Sequence, residues 1–268
     1  MSSVRPAAVA GMFYPGNRAD LSQDVGAMLA LASRHAPQLA PKALIAPHAG
    51  YLYSGPVAAS AYALLRPIAD RLHRVVLLGP THRIAVRGLA LPGADMFSTP
   101  LGPVEIDADA VGKIATLPQV CVSPQAHALE HSLEVHLPFL QTLLPNFKLL
   151  PLAVGMASPE EVAEVLETLW GGEETLIVIS SDLSHFHPYE TARQIDHATA
   201  QAILDLRQPV THEQACGGTP VNGLLIAARH HHLTPHLLDL RNSGDTAGSP
   251  DRVVGYGAFA FTEDSHHA

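Results

Sequence analysis

The stretch Ala43-Leu44-Ile45-Ala46-Pro47-His48-Ala49-Gly50-Tyr51-Leu52-Tyr53-Ser54-Gly55 decides the fold. Its first four residues are an apolar run of the length of a buried strand. Proline and histidine close the run. A turn edged by Gly50 and Gly55 follows, and a helix is predicted from near Val57. A histidine at the point where a buried strand gives way to a loop lies where open α/β sheets bind their ligands.

The same arrangement recurs downstream. Arg74–Gly79 is a second buried run, ending in Pro80-Thr81-His82. Thr175–Ile179 is a third, ending in Ser180-Ser181-Asp182-Leu183-Ser184-His185. Helical spacing between the runs predicts helices over Leu21–Ala32, 57–65, 108–116, Leu133–Leu144 and 190–206. Ser158-Pro159-Glu160-Glu161 has a cap serine, a first-turn proline and acidic residues where a helix start favours them, and that helix runs to about Trp170. Val86–Leu91 and Val104–Ile106 suggest an antiparallel edge or hairpin, and Phe147–Val154, 234–240 and 253–261 are further strands. Thr219 as cap and Pro220 at N1 predict a helix over 221–230. Buried strands alternating with helices predict an α/β chain, a three-layer sandwich whose mixed, mostly parallel sheet carries helices on both faces. No shift in composition marks a boundary, so residues 1–268 are expected to form one domain.

Composition excludes several classes. Of 268 residues, 47% are hydrophobic and only 15% charged, which fits a globular chain with a sizeable core. The net charge of -9, with no basic run, argues against nucleic acid as a partner. No run approaches a membrane span, and the first ten residues lack the apolar core of a signal peptide. Two cysteines, Cys121 and Cys216, make no disulfide framework. The expected location is cytoplasmic. Among 17 histidines, His230, His231, His232, His266 and His267 read as surface or terminal residues.

If the three strands are parallel neighbours, His48, His82 and the pair Asp182/His185 meet at one sheet edge. Cys216 precedes a helix, whose N-terminus favours a thiolate. Two imidazoles and a thiolate make a plausible three-ligand metal site with open positions. Two other patterns compete. His127-Ala128-Leu129-Glu130-His131 matches the inverted zincin motif, which places both histidines on one helical face with Glu130 as base. That motif needs a further ligand, and a pocket-wall or supporting role for Glu130, His131 and Glu134 is the stronger reading. Cys216 with His185 as base would instead be a cysteine hydrolase.

Taken together, Ala10–Tyr14, Pro47–Gly55, Gly79–His82, Glu130–Pro138, Ser180–Phe186, Cys216–Gly218 and Gly255–Phe259 resemble the MEMO family. Its bacterial and archaeal members are called AmmeMemoRadiSam system protein B. That family is similar in fold to the class III extradiol ring-cleavage dioxygenases. The resemblance implies a mononuclear metal held by His48, His82 and Cys216, with His185 as acid/base and Asp182 beside it. It also implies a pocket lined by Phe13 and Tyr53, with Tyr51 a further candidate for the wall. Fe(II) is the metal it favours, with copper or zinc as alternatives. The substrate would be a small molecule such as an aromatic diol. A non-catalytic metal- or phosphopeptide-binding role stands beside the oxidoreductase reading, and a link to the radical enzyme of the same system stays open. Where the dioxygenases use a carboxylate, this sequence has the softer Cys216, so fold likeness alone does not transfer ring cleavage.

Overall fold

The computed structural model describes residues 3–263; His266 and His267 lie outside them. In chain order the elements are β1 (Val4–Arg5), α1 (Arg18–Ser33), β2 (Pro41–Ala46), α2 (Tyr51–Tyr62), β3 (Arg74–Pro80) and β4 (Leu89–Leu91). Then come β5 (Met96–Thr99), β6 (Gly102–Glu105), α3 (Ala108–Ile114), β7 (Val120–Val122), α4 (Pro124–Ala128), α5 (Leu137–Leu143) and β8 (Lys148–Val154). The chain continues through α6 (Pro159–Leu169), β9 (Thr175–Ser180), β10 (His185–His187), α7 (Tyr189–Leu204), α8 (Gly218–His230), β11 (Thr234–Asn242) and β12 (Val253–Thr262).

The main sheet is 9-stranded, in the order β10-β12-β2-β9-β3-β8-β4-β7, with β11 also paired to β12. Its centre is parallel: β2 pairs β9, β9 pairs β3 and β3 pairs β8, all in the same sense. Antiparallel pairing begins at β12 on one flank and β4 on the other. The three strands that end in His48, His82 and Asp182 are therefore adjacent, and their carboxyl ends share one edge.

Side chains of successive strand residues leave on opposite faces, and the core divides accordingly. Leu44, Ala46, Val75, Leu77, Leu176 and Val178 face a layer that includes α1, α2 and α5. Ala43, Ile45, Val76, Leu78, Ile177 and Ile179 face α3, α6, α7 and α8. All six residues of β2 are buried. Burial on both faces is why these strands read as continuous apolar runs rather than alternating ones. Each fully buried leucine or isoleucine contributes about 1.5–3 kcal/mol.

Several boundaries differ from the sequence expectation. Helix α2 starts at Tyr51, six residues before Val57, with Gly50 as N-cap, and it runs through Pro56, which forgoes the bond to the Leu52 carbonyl. Val104 does not pair with the Val86–Leu91 run. It pairs with Phe97, in a separate 3-stranded sheet of β1, β5 and β6, while β4 joins the main sheet. Helix α8 starts at Gly218 with Gly217 as N-cap, earlier than a Thr219 cap would place it. The helix over His127 ends at Ala128, so His127 and His131 do not share a helical face. No helix among the described residues is long and apolar enough to cross a membrane.

Candidate metal centre

His48 follows β2 by two residues and is buried at 2% exposure. Its backbone N–H donates to Asp182 Oδ1 at 2.7 Å, and its Nδ1 lies 2.6 Å from Ser180 Oγ. The Ser180 hydroxyl in turn donates to the Ser132 carbonyl at 2.6 Å. Burial, followed by the charges that His82, His131, His136 and His185 would carry, holds the His48 pKa well below its ordinary value. The ring is neutral at pH 7, as a metal ligand must be.

His82 follows β3 and is held at two points by one carboxylate. Glu130 Oε2 accepts its backbone N–H at 2.6 Å, and Glu130 Oε1 lies 2.9 Å from its Nδ1. The backbone N–H groups of His131 and Ser132 also donate to Glu130 Oε1, each at 3.0 Å. Burial pushes the Glu130 pKa up, but the bonds from His82 and Ser132 outweigh it and hold the carboxyl down at about 2. Glu130 is thus a buried, ionised anchor.

His131 joins these two. Its ring stacks on His82 at 4.7 Å between centroids and meets His48 edge-on at 5.4 Å. His48, His82 and His131 each offer a ring nitrogen, and the three lie within 4.8 Å of one another. Burial pushes the His131 pKa down to about 4, so this imidazole is also neutral. The sequence alone assigns His131 only a supporting place. The H-x-x-E-H spacing suggested a helix, and nothing local signals that Leu129 leaves it and turns His131 toward the sheet edge while His127 turns away. His127 is buried, with Nε2 2.7 Å from the Ala90 carbonyl oxygen.

Cys216 arrives from the loop before α8. Its Sγ is 3.4 Å from His48 Nε2 and 3.7 Å from the Asp182 carbonyl oxygen. Gly217 makes this approach possible: a Cβ there would meet the Ser180 carbonyl oxygen at 2.6 Å and Ser181 Cβ at 2.7 Å. The helix terminus does not by itself produce a thiolate. Burial, reinforced by the negative charge of Asp182, pushes the thiol pKa up to about 12. Only a cation at the site would reverse that balance.

Asp182 and His185 flank the cluster. Asp182 Oδ2 lies 3.9 Å from His48 Nε2. Burial raises the Asp182 pKa to about 7, against the opposing hydrogen bonds from the backbone of His48 and Ala49. His185 opens β10 and is half-buried. Burial lowers its pKa against a hydrogen bond to the backbone of Leu183, and the charge that His82 would carry lowers it further. Phe13 lies 4.7 Å from the His131 ring. Tyr53 is 38% exposed. Tyr51 is a core residue: it is buried, and its hydroxyl donates to the Val135 carbonyl at 2.6 Å.

The donor set fits a single metal ion. Ring nitrogens of His48, His82 and His131 lie within 4.8 Å of one another, and the Cys216 thiol lies 3.4 Å from His48 Nε2, at the carboxyl edge of a parallel sheet. Residues 5–260 match the model of the Memo-like protein family. The chain is 36% identical to a MEMO1 family protein of Aquifex aeolicus over 265 residues, covering 94% of this chain and 97% of that one. A MEMO1 family protein of Methanococcoides burtonii is also 36% identical, over 95% of this chain and 98% of its own length. In fold, the chain is similar to an uncharacterised Escherichia coli K12 protein, JW3007, with a TM-score of 0.51, 14% identity, and coverage of 80% of this chain and 98% of that one. On the matched length and the level of identity, the chain belongs to the Memo-like protein family.

Proposed function

We propose that this protein is a mononuclear metalloenzyme of the dioxygenase-like type, with iron as its metal and a small aromatic diol or related metabolite as its substrate. The observation that carries the reading is the convergence of His48, His82 and His131 within 4.8 Å. His48 and His82 are the ligands on which every candidate set agrees. Cys216, with Sγ 3.4 Å from His48 Nε2, completes the site, and His131 offers one more nitrogen beside Phe13.

Bound there, an iron ion would supply Lewis acidity toward the diol oxygens and a redox partner for dioxygen. The chain's own residues do the rest. His185, kept neutral by burial, accepts a proton from a substrate hydroxyl and later returns it to the product side. Asp182 fixes the backbone of His48 and, with a pKa of about 7, is poised to exchange a proton near neutral pH. Phe13 gives the site an apolar wall against His131.

The test is metal content after anaerobic purification, followed by oxygen uptake against a panel of catechols. An iron form at one ion per chain that consumes no oxygen with any of them overturns the oxygenase reading.

One observation favours a second reading. A buried thiol beside an imidazole is a soft donor pair of the kind that holds Cu(I). A non-catalytic copper or iron carrier would use His48, His82 and Cys216, but has no task for His185. Tight, stoichiometric copper binding that His185→Ala leaves intact, with no turnover, is the outcome this reading expects.

A further inference from the structure

Ser180, Ser132 and Glu130 are not themselves within the metal-ligand set, yet they join its two agreed members. Ser180 Oγ carries one hydrogen, and that hydrogen is committed: the hydroxyl donates to the Ser132 carbonyl, which can only accept. His48 Nδ1 lies 2.6 Å from the same oxygen. A lone pair is all the serine has left there, so His48 Nδ1 must carry the proton and donate it. Nε2, the nitrogen facing Cys216, is then bare.

His82 is held in the same way by a different partner, Glu130. Glu130 Oε2 accepts the backbone N–H of His82, and Oε1 accepts those of His131 and Ser132, so both oxygens act as acceptors here; Oε1 also lies 2.9 Å from His82 Nδ1. His82 Nδ1 therefore also carries a proton, which leaves Nε2 as the nitrogen turned away from Glu130.

The two halves meet in one residue. Ser132 donates its backbone N–H to Glu130 and accepts the Ser180 hydroxyl at its carbonyl. Its own hydroxyl donates to the Pro80 carbonyl at the end of β3, at 2.8 Å. Ser132 and Ser180 are both fully buried. Gly79 lets them come this close, since a Cβ on it would lie 2.9 Å from Ser132 Oγ and 3.1 Å from Ser180 Cβ.

We propose that Ser180, Ser132 and Glu130 form one buried bridge that locks His48 and His82 as Nδ1–H tautomers before any metal arrives, making Ser180 and Glu130 positioning residues for the metal. The inference rests on the reading of His48 and His82 as ligands. It goes further, because it assigns the proton on each ring and the residues that put it there. The bridge is also asymmetric. His82 donates to a full negative charge and becomes the stronger electron donor, while His48 donates to a neutral hydroxyl.

The experiment has two arms. In metal-free protein with nitrogen-15-labelled histidine, long-range proton–nitrogen NMR reads each ring's tautomer directly. Both His48 and His82 are expected as Nδ1–H. Ser180→Ala should release His48 alone, Ser180→Thr should keep it locked, and Glu130→Gln should release His82 alone. In the second arm, zinc titrations should show Ser180→Ala and Glu130→Gln weakened by about ten- to a hundred-fold, with Ser180→Thr close to the parent. An Nε2–H tautomer at either ring of the unsubstituted protein overturns the proposal without depending on any variant's folding. So does a Ser180→Ala protein that keeps both the His48 tautomer and the parent's zinc affinity. Locked tautomers in a parent that binds no zinc, copper or iron would instead overturn the metal reading and leave the bridge standing.

Discussion

Glu134 receives the guanidinium of Arg5 across 129 residues of sequence, and neither side chain is more than 5% exposed. The same carboxylate accepts the backbone N–H groups of Ala8 and Val9 and the hydroxyl of Tyr14, at 2.7, 3.0 and 2.5 Å. Arg5 also donates to the carbonyl oxygens of His127 and Glu130, at 2.9 and 2.6 Å. One ion pair thus fastens the N-terminal segment, and Phe13 with it, to the loop that carries Glu130 and His131.

Removing one member of this pair leaves the other's charge buried without its counter-charge. Glu134→Gln is expected to destabilise the protein by about 3–5 kcal/mol. Tyr14→Phe, which deletes a single hydrogen bond to the carboxylate, should cost about 1.5–3 kcal/mol. Urea unfolding followed by circular dichroism measures both. A Glu134→Gln midpoint equal to that of the parent would show that the network is not a structural fastening.

Single substitutions separate ligands from neighbours. His48→Ala, His82→Ala and Cys216→Ser should each lower metal occupancy, while His185→Ala should largely keep it. His131→Ala addresses the group that the fold adds to the cluster, and a loss of occupancy there would count it among the ligands. Cys121→Ser, and substitution of His230, His231 and His232, should leave occupancy unchanged. Elemental analysis of the purified variants provides the comparison. If Cys216→Ser binds metal as well as the parent, the cysteine is not a ligand.

How far this site was legible in the sequence depends on how local each signal was. The strand-proline-histidine pattern at His48 and His82 is short-range, and the parallel register of β2, β9 and β3 brings both to one edge. The H-x-x-E-H run was misleading because its meaning is set by non-local partners. Glu130 turns to His82, Glu134 to Arg5, and His136 to Tyr62, with His136 Nδ1 2.8 Å from the tyrosine hydroxyl. No spacing rule encodes contacts across 48 or 129 residues. The state of the thiol is non-local in the same way. A helix N-terminus is visible in sequence, but the burial and the Asp182 charge that outweigh it are not.

Close backbone approach makes a further prediction. Gly217→Ala would drive a methyl group into the Ser180 carbonyl and Ser181 Cβ. The loop must retreat, and it carries Cys216 with it. Metal affinity should fall while His48 and His82 stay in place, so a cobalt-substituted variant should lose its sulfur-to-metal absorption band and keep weak binding. An unchanged band would mean that the loop accommodates the methyl group without moving the thiol.

Acid should unfold the metal-free protein early. Burial pushes His127 down to about 4 and His136 down to about 3. Between the ordinary histidine value near 6.5 and these values, the unfolded chain takes up protons that the native chain refuses. Stability therefore falls as pH drops through that window, by about 1.4 kcal/mol per pH unit for each such histidine. His48 and His131 act in the same direction. Asp182 opposes them by one proton, because its raised pKa lets the native state protonate first. Urea midpoints across this range should decline steeply, and Asp182→Asn should steepen the decline. A flat profile would contradict the neutral, buried state of these rings.

The thiol allows the metal reading to be checked by proton counting. At neutral pH, Cys216 holds its proton, since its pKa is pushed up to about 12, whereas His48 and His131 are already neutral. Ligation through sulfur must therefore expel one proton, and ligation through His48 and His131 expels none. Zinc affinity in the parent should rise about tenfold per pH unit above neutrality, once metal hydrolysis and buffer competition are corrected for. In Cys216→Ser the slope should fall by that one proton over the same range, because the thiol that supplied it is gone. Calorimetry in two buffers of different ionisation enthalpy gives the released proton independently. A parent and a serine variant with the same slope would place the sulfur outside the coordination sphere and leave the three imidazoles as the metal's whole protein ligand set.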